Sequence, residues 1–391
     1  MAEFLAQIHT SLKEWRTGNL MRILFINWSR VEFAGGEKHL LALVKEMKNL
    51  GVDPRLLCPV KSPLAQMTAE TGIGVSEVRL DFFKKSNPLP YLRSVVSVYK
   101  EVKKFKPDLI HAQGANSLHW LMPLAFLGNI PICCKLQDFE VWNRFSLWAL
   151  RKIPVVFTDS EALRKHVIPA FNISENKCLT IRPGIEPLVE VTAEQVRNLR
   201  KSLELTANDI AVGICSRIHY RKGQHLFLKA AAILKKETSI KWIIAGDRTA
   251  ADICYLEELD AMIKEQGLDS RVRFTGFISA LPVFLRALDI VTVPSQEEPF
   301  GLISIDAQAQ ARPVIVSNQG GLPESVEDGR TGIVMRSLDA AELARQVKVL
   351  ANDPEQRRRM GRAGQERFAR RFTIRGNALK VIEQYKILAG P

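Results

Sequence analysis

The sequence has no long hydrophobic run and no paired cysteine motif. No stretch of its 391 residues approaches the roughly 20 uncharged apolar residues of a membrane-spanning helix. Residues 1–20 lack the pattern of a cleavable signal peptide, because Glu3, His9 and Lys13 interrupt any apolar core. None of the six cysteines belongs to a C-x-x-C pair or a His-spaced cluster, which favours buried free thiols over a metal site or disulfides. We therefore expect a cytoplasmic protein.

Acidic residues are outnumbered, since the sequence has 55 Lys and Arg and only 42 Asp and Glu, which gives a net charge of +13. Such a surplus attracts a polyanion or an anionic membrane. Its densest segment, 84–107, places Leu92, Val95, Tyr99 and Val102 at helical spacing. We predict a surface helix whose apolar stripe faces its own sheet and whose basic face contacts anionic lipid at the inner face of the membrane. Nucleic acid is not expected, because no recognised nucleic-acid motif is present.

Apolar strand-like runs alternate with helical patterns along the whole chain, which predicts parallel sheets with crossover helices. The order of these runs indicates two successive doubly wound α/β units. The predicted strands are 22–28, 54–59, 109–113, 131–136, 154–159 and 178–182 in the first half, and 209–216, 240–247, 271–276, 289–295, 313–318 and 331–335 in the second.

The length of the chain suits two domains of similar size better than a single core. Residues 183–194 are rich in Pro and Val without periodicity, and the capping-box pattern of Thr192 and Gln195 marks the next helix start. We therefore predict one domain over 21–186 and another from 187. Residues 1–20 show helical spacing and are interpreted as a short surface helix or a tether, with Met21 as an alternative start.

Two loops follow the first strands of these units. Gly35 and Gly36 come after the first strand, where they let the backbone approach a ligand or make a tight helix entry. They do not form a G-x-G-x-x-G fingerprint, so no dinucleotide is inferred. Arg217 and Lys222 occupy the corresponding loop of the second unit. Two cations on one such loop suit a diphosphate, and a solvated basic loop is the alternative.

One stretch of the second half combines a strand, an acidic loop and a helix start. The predicted strand 289–295 ends in Pro and Ser, and the helix 301–311 begins shortly after it. Phe300 and Gly301 therefore lie on a strand-to-helix corner. The first helical N–H groups, at about residues 301–304, lack intrahelical partners, so they can donate to a phosphate or a sugar oxygen.

Two carboxylates flank this corner. Glu298 precedes the helix, and Asp306 shares a helix face with Leu302 by the i, i+4 rule. Carboxylates repel a phosphate but accept hydrogen bonds from hydroxyl groups, such as those of a ribose and a hexose. A nucleotide sugar satisfies both demands, because it carries a diphosphate between two sugars.

Several motifs of the second half fall at the ends of predicted strands: SR-x4-KG around Arg217 and Lys222, IIAGD, VRFTGF, E-x-F-G-x4-D from Glu298 to Asp306, ARPVI and GGLPESVEDGRTG. Together they resemble the retaining nucleotide-sugar glycosyltransferases of family 4, which have the GT-B fold. GGEKHLLALVKEMKNLG and PDLIHAQG are similar to the N-terminal domain of that family. The resemblance extends over about residues 21–390.

The resemblance implies two Rossmann-like domains that face each other across a cleft. The first, 21–186, would bind the acceptor, and the second, 187–373, would bind the donor, while a final helix at about 374–391 crosses back to the first domain. Arg217 and Lys222 would neutralise the donor diphosphate in place of a metal ion, so neither a metal nor another cofactor is expected.

The resemblance also implies roles for the acidic corner. Glu298 would accept hydrogen bonds from donor sugar hydroxyls. Amides near Phe300, Gly301 and Leu302 would hold sugar or phosphate, Asp306 would bind the ribose, and the loop around Phe277 would contact the base. The family has glutamate where Asp306 stands, so this carboxylate is one methylene shorter but still accepts from ribose hydroxyls.

A second departure lies in the first half. Many relatives have histidine where Gln137 stands, next to the reacting carbon. Glutamine cannot act as a base, but its amide can orient a sugar or a nucleophile. Asp138 and His111 are further acceptor-side candidates, and a structural role in the fold is the alternative for both. Gly35 and Gly36 are the donor-binding candidates of this half.

These features predict a retaining, metal-independent glycosyltransferase that moves a hexose from a nucleoside-diphosphate sugar, such as a UDP- or GDP-sugar. The acceptor would be a hydroxyl of a lipid-linked or cell-surface glycan, such as lipopolysaccharide or exopolysaccharide. The alternatives are a degenerate, non-catalytic GT-B subunit of a polysaccharide assembly complex, or another enzyme on the same scaffold, such as a sugar-nucleotide epimerase or a glycan synthase.

Overall fold

The computed structural model describes residues 20–29, 35–125, 130–140, 144–186, 189–249 and 251–390. The chain divides into two compact units, Met1–Glu186 with Ile374–Pro391, and Pro187–Thr373. The helix or tether predicted over residues 1–20 lies outside the described residues, except for residue 20. Within the described ranges, no helix is both long and apolar enough to cross a bilayer.

The first unit is built on a seven-stranded parallel sheet in the order β3-β2-β1-β4-β5-β6-β7. Its strands are β1 (Met21–Asn27), β2 (Val52–Pro59), β3 (Gly74–Val78), β4 (Leu109–Gln113), β5 (Ile132–Leu136), β6 (Val155–Thr158) and β7 (Cys178–Thr180). The six predicted strands are confirmed. β3 was missed, because this edge strand (GVSEV) is short and only two of its five residues are buried.

Helices of the first unit cover both faces of this sheet. They are α1 (Gly35–Asn49), α2 (Pro63–Ala69), α3 (Leu89–Phe105), α4 (Leu118–Ala125), α5 (Arg144–Lys152), α6 (Glu161–Phe171) and, from the end of the chain, α15 (Ile374–Ala389). Ala378, Ile382 and Tyr385 of α15 join the core that contains Phe25 of β1. Burial of these side chains stabilises the attachment of the last helix to the first unit.

The second unit is built on a six-stranded parallel sheet in the order β10-β9-β8-β11-β12-β13. Its strands, all predicted, are β8 (Ile210–Cys215), β9 (Ile240–Ala245), β10 (Val272–Gly276), β11 (Ile290–Val293), β12 (Val314–Val316) and β13 (Gly332–Val334). Its helices are α7 (Ala193–Ser202), α8 (Gln224–Ile233), α9 (Ile253–Gln266), α10 (Leu281–Ala287), α11 (Leu302–Ala309), α12 (Leu322–Ser325), α13 (Ala340–Asn352) and α14 (Pro354–Arg371).

Each sheet has a switch point where its strand order reverses. In the second unit β8 lies between β9 and β11, and in the first unit β1 lies between β2 and β4. Loops that leave the carboxyl ends of strands on the two sides of such a point diverge and leave a crevice, which is where doubly wound sheets bind ligands. The sheet order therefore places the loops after β8 and β11 beside each other.

The apolar stripe predicted for α3 is wrong in part. Val102 is buried and Val95 is partly buried against the core, but Leu92 and Tyr99 are exposed. The face that packs on the sheet is formed by Ser94, Val98, Val102 and Phe105. Ser94 is buried because its Oγ accepts from the backbone N–H of Asp81 at 3.0 Å and donates to the carbonyl of Pro90. The packed face therefore includes a hydrogen-bonded serine, and it lies on a different side of the helix from the centre of the predicted row.

All six cysteines are free, and the predicted burial is confirmed for four of them. Cys58, Cys133, Cys134 and Cys178 are buried, whereas Cys215 is half-buried and Cys254 is exposed. Buried thiols of this kind behave as small apolar side chains. They contribute to packing around the sheets.

Candidate functional site

The loops after β8 and β11 meet through an ion pair. Nζ of Lys222 lies 2.5 Å from Oε2 of Glu298, and the two side chains are only 21% and 17% exposed. Beside them, Arg221 Nη1 lies 2.8 Å from Glu297 Oε1. The backbone N–H of Gln296 donates to the carbonyl of Arg221 at 2.8 Å. The two loops that the sequence places at one sheet edge are therefore directly bonded to each other.

Gly223 allows this close approach. Its φ is +80°, and a Cβ on it would lie 2.2 Å from the carbonyl oxygen of Pro294. A side chain here would clash with backbone atoms that cannot move aside. The absence of a side chain lets Lys222 lie against the loop after β11.

A second glycine holds Glu298 from the other side. Gly320 has a φ of +55°, and a Cβ on it would lie 2.4 Å from the carbonyl oxygen of Glu298. The backbone N–H of Gly321 donates to that same oxygen at 2.8 Å. The Gly-Gly turn therefore fixes the backbone of the carboxylate residue.

The start of α11 offers fewer free amides than predicted. Gly301 caps the helix, and its carbonyl accepts from both the N–H and the Oγ of Ser304, at 3.0 and 2.6 Å. The predicted donor range of 301–304 was therefore too long by one residue. The side chain of Phe300 is buried, with its ring 5.6 Å from that of Phe372, so only its backbone can contact a ligand.

Asp306 and Leu302 share the open side of α11, as predicted. Both side chains are half-buried, whereas Ser304 and Ile305 between them are buried. The Asp306 carboxylate therefore lies one helical turn beyond the Gly301 cap.

Two other predicted residues lie at the same edge of the sheet. Arg217 comes directly after β8 with its side chain exposed, and its carbonyl accepts from Gln224 Nε2 at 2.8 Å. Phe277 follows β10 and is 66% exposed. Both belong to loops at the carboxyl ends of strands of the same sheet, with β9 between β8 and β10.

The structure adds a support that the sequence analysis missed. Arg367 of α14 is buried and donates to the carbonyls of Ser325 at 2.6 Å and Glu324 at 2.9 Å. Gln308 of α11 donates to the same Ser325 carbonyl at 2.8 Å. These bonds fix α12, which follows the Gly-Gly turn. No sequence signal marks Arg367, because α14 carries many arginines and most of them are exposed.

In the first unit, Gln137 lies against the start of α1. A Cβ on Gly36 would lie 2.9 Å from Gln137 Oε1, and Gln113 Nε2 donates to that oxygen at 2.6 Å. The space beside Gly36 is therefore occupied by Gln137. Gly35 and Asp138 next to this contact are exposed. The switch point of the first sheet thus brings the candidates Gly36 and Gln137, which follow β1 and β5, together with Gln113 of β4.

Beneath Gln137 lies a buried ion pair that was not predicted. Lys135 Nζ is 2.9 Å from Asp159 Oδ1, and both side chains are less than a tenth exposed. The same Nζ lies 3.3 Å from His39 Nδ1. Burial raises the pKa of Asp159, and the Lys135 charge opposes that rise. Burial lowers the pKa of His39, and Lys135 lowers it further, which favours the neutral imidazole.

The structure favours the structural role for His111. Its side chain is buried in the middle of β4, and its Nδ1 lies 2.6 Å from Oη of Tyr385 and 3.5 Å from Sγ of Cys133. Burial and the Lys135 charge lower the pKa of His111 to about 3. His111 therefore ties β4 to the last helix, which is the structural alternative that the sequence left open for this residue.

Comparison with known families identifies the chain. Residues 33–187 match the family model described as Glycosyltransferase Family 4, and residues 195–367 match the model described as Glycosyl transferases group 1. Together the two models match both halves of the chain, so the chain belongs to the family 4, group 1 glycosyltransferases. The two matches divide near the linker that separates the compact units.

Two curated relatives match parts of the chain. An uncharacterised glycosyltransferase of Methanocaldococcus jannaschii is 31% identical over 183 residues, which is 46% of each chain. A D-inositol 3-phosphate glycosyltransferase of Corynebacterium urealyticum is 27% identical over 241 residues, 60% of this chain and 56% of that one. The chain thus spans about half the length of these curated relatives.

A solved structure shows the same fold. HepE of Anabaena in complex with UDP-glucose superimposes with a TM-score of 0.83 at 24% identity, over 94% of this chain and 100% of that one. The predicted GT-B class, with two Rossmann-like parallel-sheet domains, is confirmed.

Replacement of Gly223 by alanine tests the close approach of the two loops. We expect Gly223→Ala to lower the free energy of unfolding of the second unit by more than about 1 kcal/mol, because both φ and the contact with Pro294 oppose a side chain. Gly329→Ala is the matched control, since its φ is +72° but nothing lies within 4 Å of the added Cβ. Urea denaturation measures both, and equal losses would contradict the account.

The buried histidines predict a pH dependence of stability. The pKa of His111 is about 3 in the folded protein and about 6.5 when unfolded, so its contribution is present above pH 6.5 and is lost as pH falls. The free energy of unfolding should fall by up to about 1.4 kcal/mol per pH unit for this group below that point. The interval from about pH 6 to about pH 4 lies between the two pKa values of His111. Over this interval, the free energy of unfolding measured in urea should fall less steeply with pH in His111→Asn than in the wild type. An unchanged slope would place the titration elsewhere.

Proposed function

We propose that this protein is a retaining glycosyltransferase that moves a hexose from a nucleoside-diphosphate sugar, such as a UDP- or GDP-sugar, to a hydroxyl group. The acceptor is a lipid-linked or cell-surface glycan such as lipopolysaccharide or exopolysaccharide. The observation that carries the proposal is the Lys222–Glu298 ion pair, held at the switch point of the second sheet. The UDP-glucose bound to HepE, which has the same fold, supports a nucleotide sugar as donor.

The ion pair has the two chemical groups that such a donor needs. A diphosphate oxygen can replace the Glu298 carboxylate on Lys222, and the freed carboxylate can then accept hydrogen bonds from sugar hydroxyls. Each side chain keeps about a fifth of its surface exposed, so a ligand can reach both members of the pair. The phosphate charge that replaces the carboxylate on Lys222 compensates for the broken ion pair.

Positive charge at this site assists departure of the diphosphate. The bond from the anomeric carbon to the diphosphate oxygen breaks, and a bond to the acceptor oxygen forms on the same face of the sugar. The acceptor proton passes to the leaving phosphate. Arg217 and Lys222 stabilise the negative charge that develops there, and the fixed position of Lys222 reduces the reorganisation that the reaction requires. The proposal assigns this charge to the two side chains and includes no metal ion or other cofactor.

The rest of the donor is assigned to neighbouring groups. The amides of residues 301–303 hold sugar or phosphate at the start of α11, where the helix dipole favours an anion. Asp306 accepts from the ribose, and the loop of Phe277 contacts the base. In the first unit, Gln137 and Asp138 beside Gly35 and Gly36 are assigned to ligand contact, and Gln113 holds the Gln137 amide in place.

We propose that the protein works in the cytoplasm at the inner face of the membrane, in peripheral contact with anionic lipid. The excess of positive charge supports this location. A lipid-linked acceptor would be presented at the same surface.

Substitutions in the ion pair separate the two roles. Lys222→Ala should weaken binding of both UDP and UDP-glucose about 10- to 100-fold, because it removes charge-assisted bonds to the diphosphate. Glu298→Gln should bind UDP as well as the wild type, since Lys222 stays and loses its competing carboxylate, but should lower kcat/KM for transfer at least about tenfold. Calorimetry and a transfer assay measure these changes.

Glu297→Gln is the matched control for these variants. It removes the carboxylate of the neighbouring, more exposed ion pair with Arg221, and it should change neither binding nor transfer. Wild-type UDP affinity in Lys222→Ala would refute the donor site. Conversion of the donor sugar without any acceptor would identify an epimerase, and donor binding without transfer to any acceptor would favour the non-catalytic subunit.

A further inference from the structure

Helix α3 carries a second apolar row on the side opposite its packed face. Leu89, Leu92, Val96 and Tyr99 are 51, 52, 50 and 38% exposed. Their spacing of three and four residues places them along one stripe of the helix. The residues that pack on the sheet lie on the other side of the helix. We call this second set the outer row.

The outer row continues into the segment before the helix. Phe83 is 53% exposed, and its ring lies 5.7 Å from that of Tyr91 in an edge-on arrangement. Exposed Lys84 and Lys85 follow it directly. An aromatic ring, two cations and the start of the outer row are therefore adjacent in the chain.

Positive charge flanks the outer row. Arg93, Lys100 and Lys104 lie along one side of it at helical spacing and are exposed. Nζ of Lys103 lies 5.6 Å from the centre of the Tyr99 ring. Between residues 82 and 106 there are seven Lys and Arg side chains and one carboxylate, that of Glu101, which accepts from Ser76 Oγ at 2.5 Å. The local surface is strongly positive.

An exposed apolar row flanked by cations matches an anionic bilayer surface. Apolar side chains gain from contact with acyl chains, and each lysine is attracted to lipid phosphates. Tyrosine suits the boundary between the two, because its ring is apolar and its hydroxyl is polar. The seven cations would leave unpaired charge against an ordinary apolar protein groove, so charge complementarity favours lipid.

We propose that α3 lies in the plane of an anionic membrane, with Phe83 and the outer row at the acyl boundary and the surrounding lysines at the headgroup phosphates. This proposal specifies the surface that makes the membrane contact of the proposed function. It rests on that function only for the reason why the protein binds a membrane. Vesicle binding itself requires no donor or acceptor.

Vesicle sedimentation tests the charge of this surface. The full-length protein should bind vesicles that contain phosphatidylglycerol, should bind pure phosphatidylcholine far more weakly, and should be released by salt. Loss of each lysine should weaken binding about fivefold, so replacement of three should weaken it about 100-fold. The variant replaces Lys100, Lys103 and Lys104 with Gln, and its matched control replaces the exposed Lys235, Lys236 and Lys264 of the second unit with Gln.

Apolar variants test insertion. Leu92→Ser combined with Val96→Ser should weaken binding at least about tenfold, since two exposed apolar side chains leave the acyl boundary. Val60→Ser is the matched control, because Val60 is 49% exposed but lies outside the outer row, after β2. In Val96→Trp, the new indole should shift its fluorescence to the blue on anionic vesicles. Its emission should stay unchanged on phosphatidylcholine.

Three outcomes would overturn the inference. In the first, the wild type does not bind anionic vesicles. In the second, the variants and their controls lose vesicle binding equally. In the third, only the lysine variant loses vesicle binding, which would mean charge attraction without insertion. Thermal stabilisation by UDP is measured in parallel and should be unchanged in every α3 variant. The membrane surface can therefore fail while the donor site stands, and the reverse also holds.

Discussion

The candidate donor site depends on two backbone contacts that leave no space for a side chain. Gly223 lies against Pro294, and Gly320 lies against the carbonyl of Glu298. These contacts force the loops after β8, β11 and β12 together at one edge of the sheet. The Lys222–Glu298 pair is a consequence, because both residues are adjacent to a constrained backbone position. Arg367 and Gln308 then hold the short helix behind the turn.

Much of the fold could be predicted because the buried strands of a parallel sheet appear in the sequence as apolar runs at regular intervals. The edge strand β3 could not, since Gly74–Val78 is half exposed and has few apolar residues. In α3 the sequence offers two overlapping apolar rows, and periodicity alone cannot say which one packs. The structure selects the row that contains the hydrogen-bonded Ser94, and it leaves Leu92 and Tyr99 exposed.

Convergence of the site residues could be predicted from their positions after strands, but their bonding could not. The pairing of Lys222 with Glu298 depends on the lateral order of β8 and β11, which strand prediction does not give. The same holds for Lys135 and Asp159, which come from the neighbouring β5 and the end of β6. A lysine in an apolar strand was the available signal for that buried pair. The sequence could not decide between the two roles considered for His111, because its partner Tyr385 is far away in the chain.

The most direct test of the central claim is the thermal stability of the wild-type protein with UDP, GDP, ADP and their glucose conjugates. A ligand that binds only the folded state raises the melting temperature in proportion to the logarithm of its excess over Kd. The account predicts that one nucleoside diphosphate and its sugar conjugate stabilise the second unit. If none of them changes the melting temperature, the ion pair at the switch point is structural and the donor site is wrong.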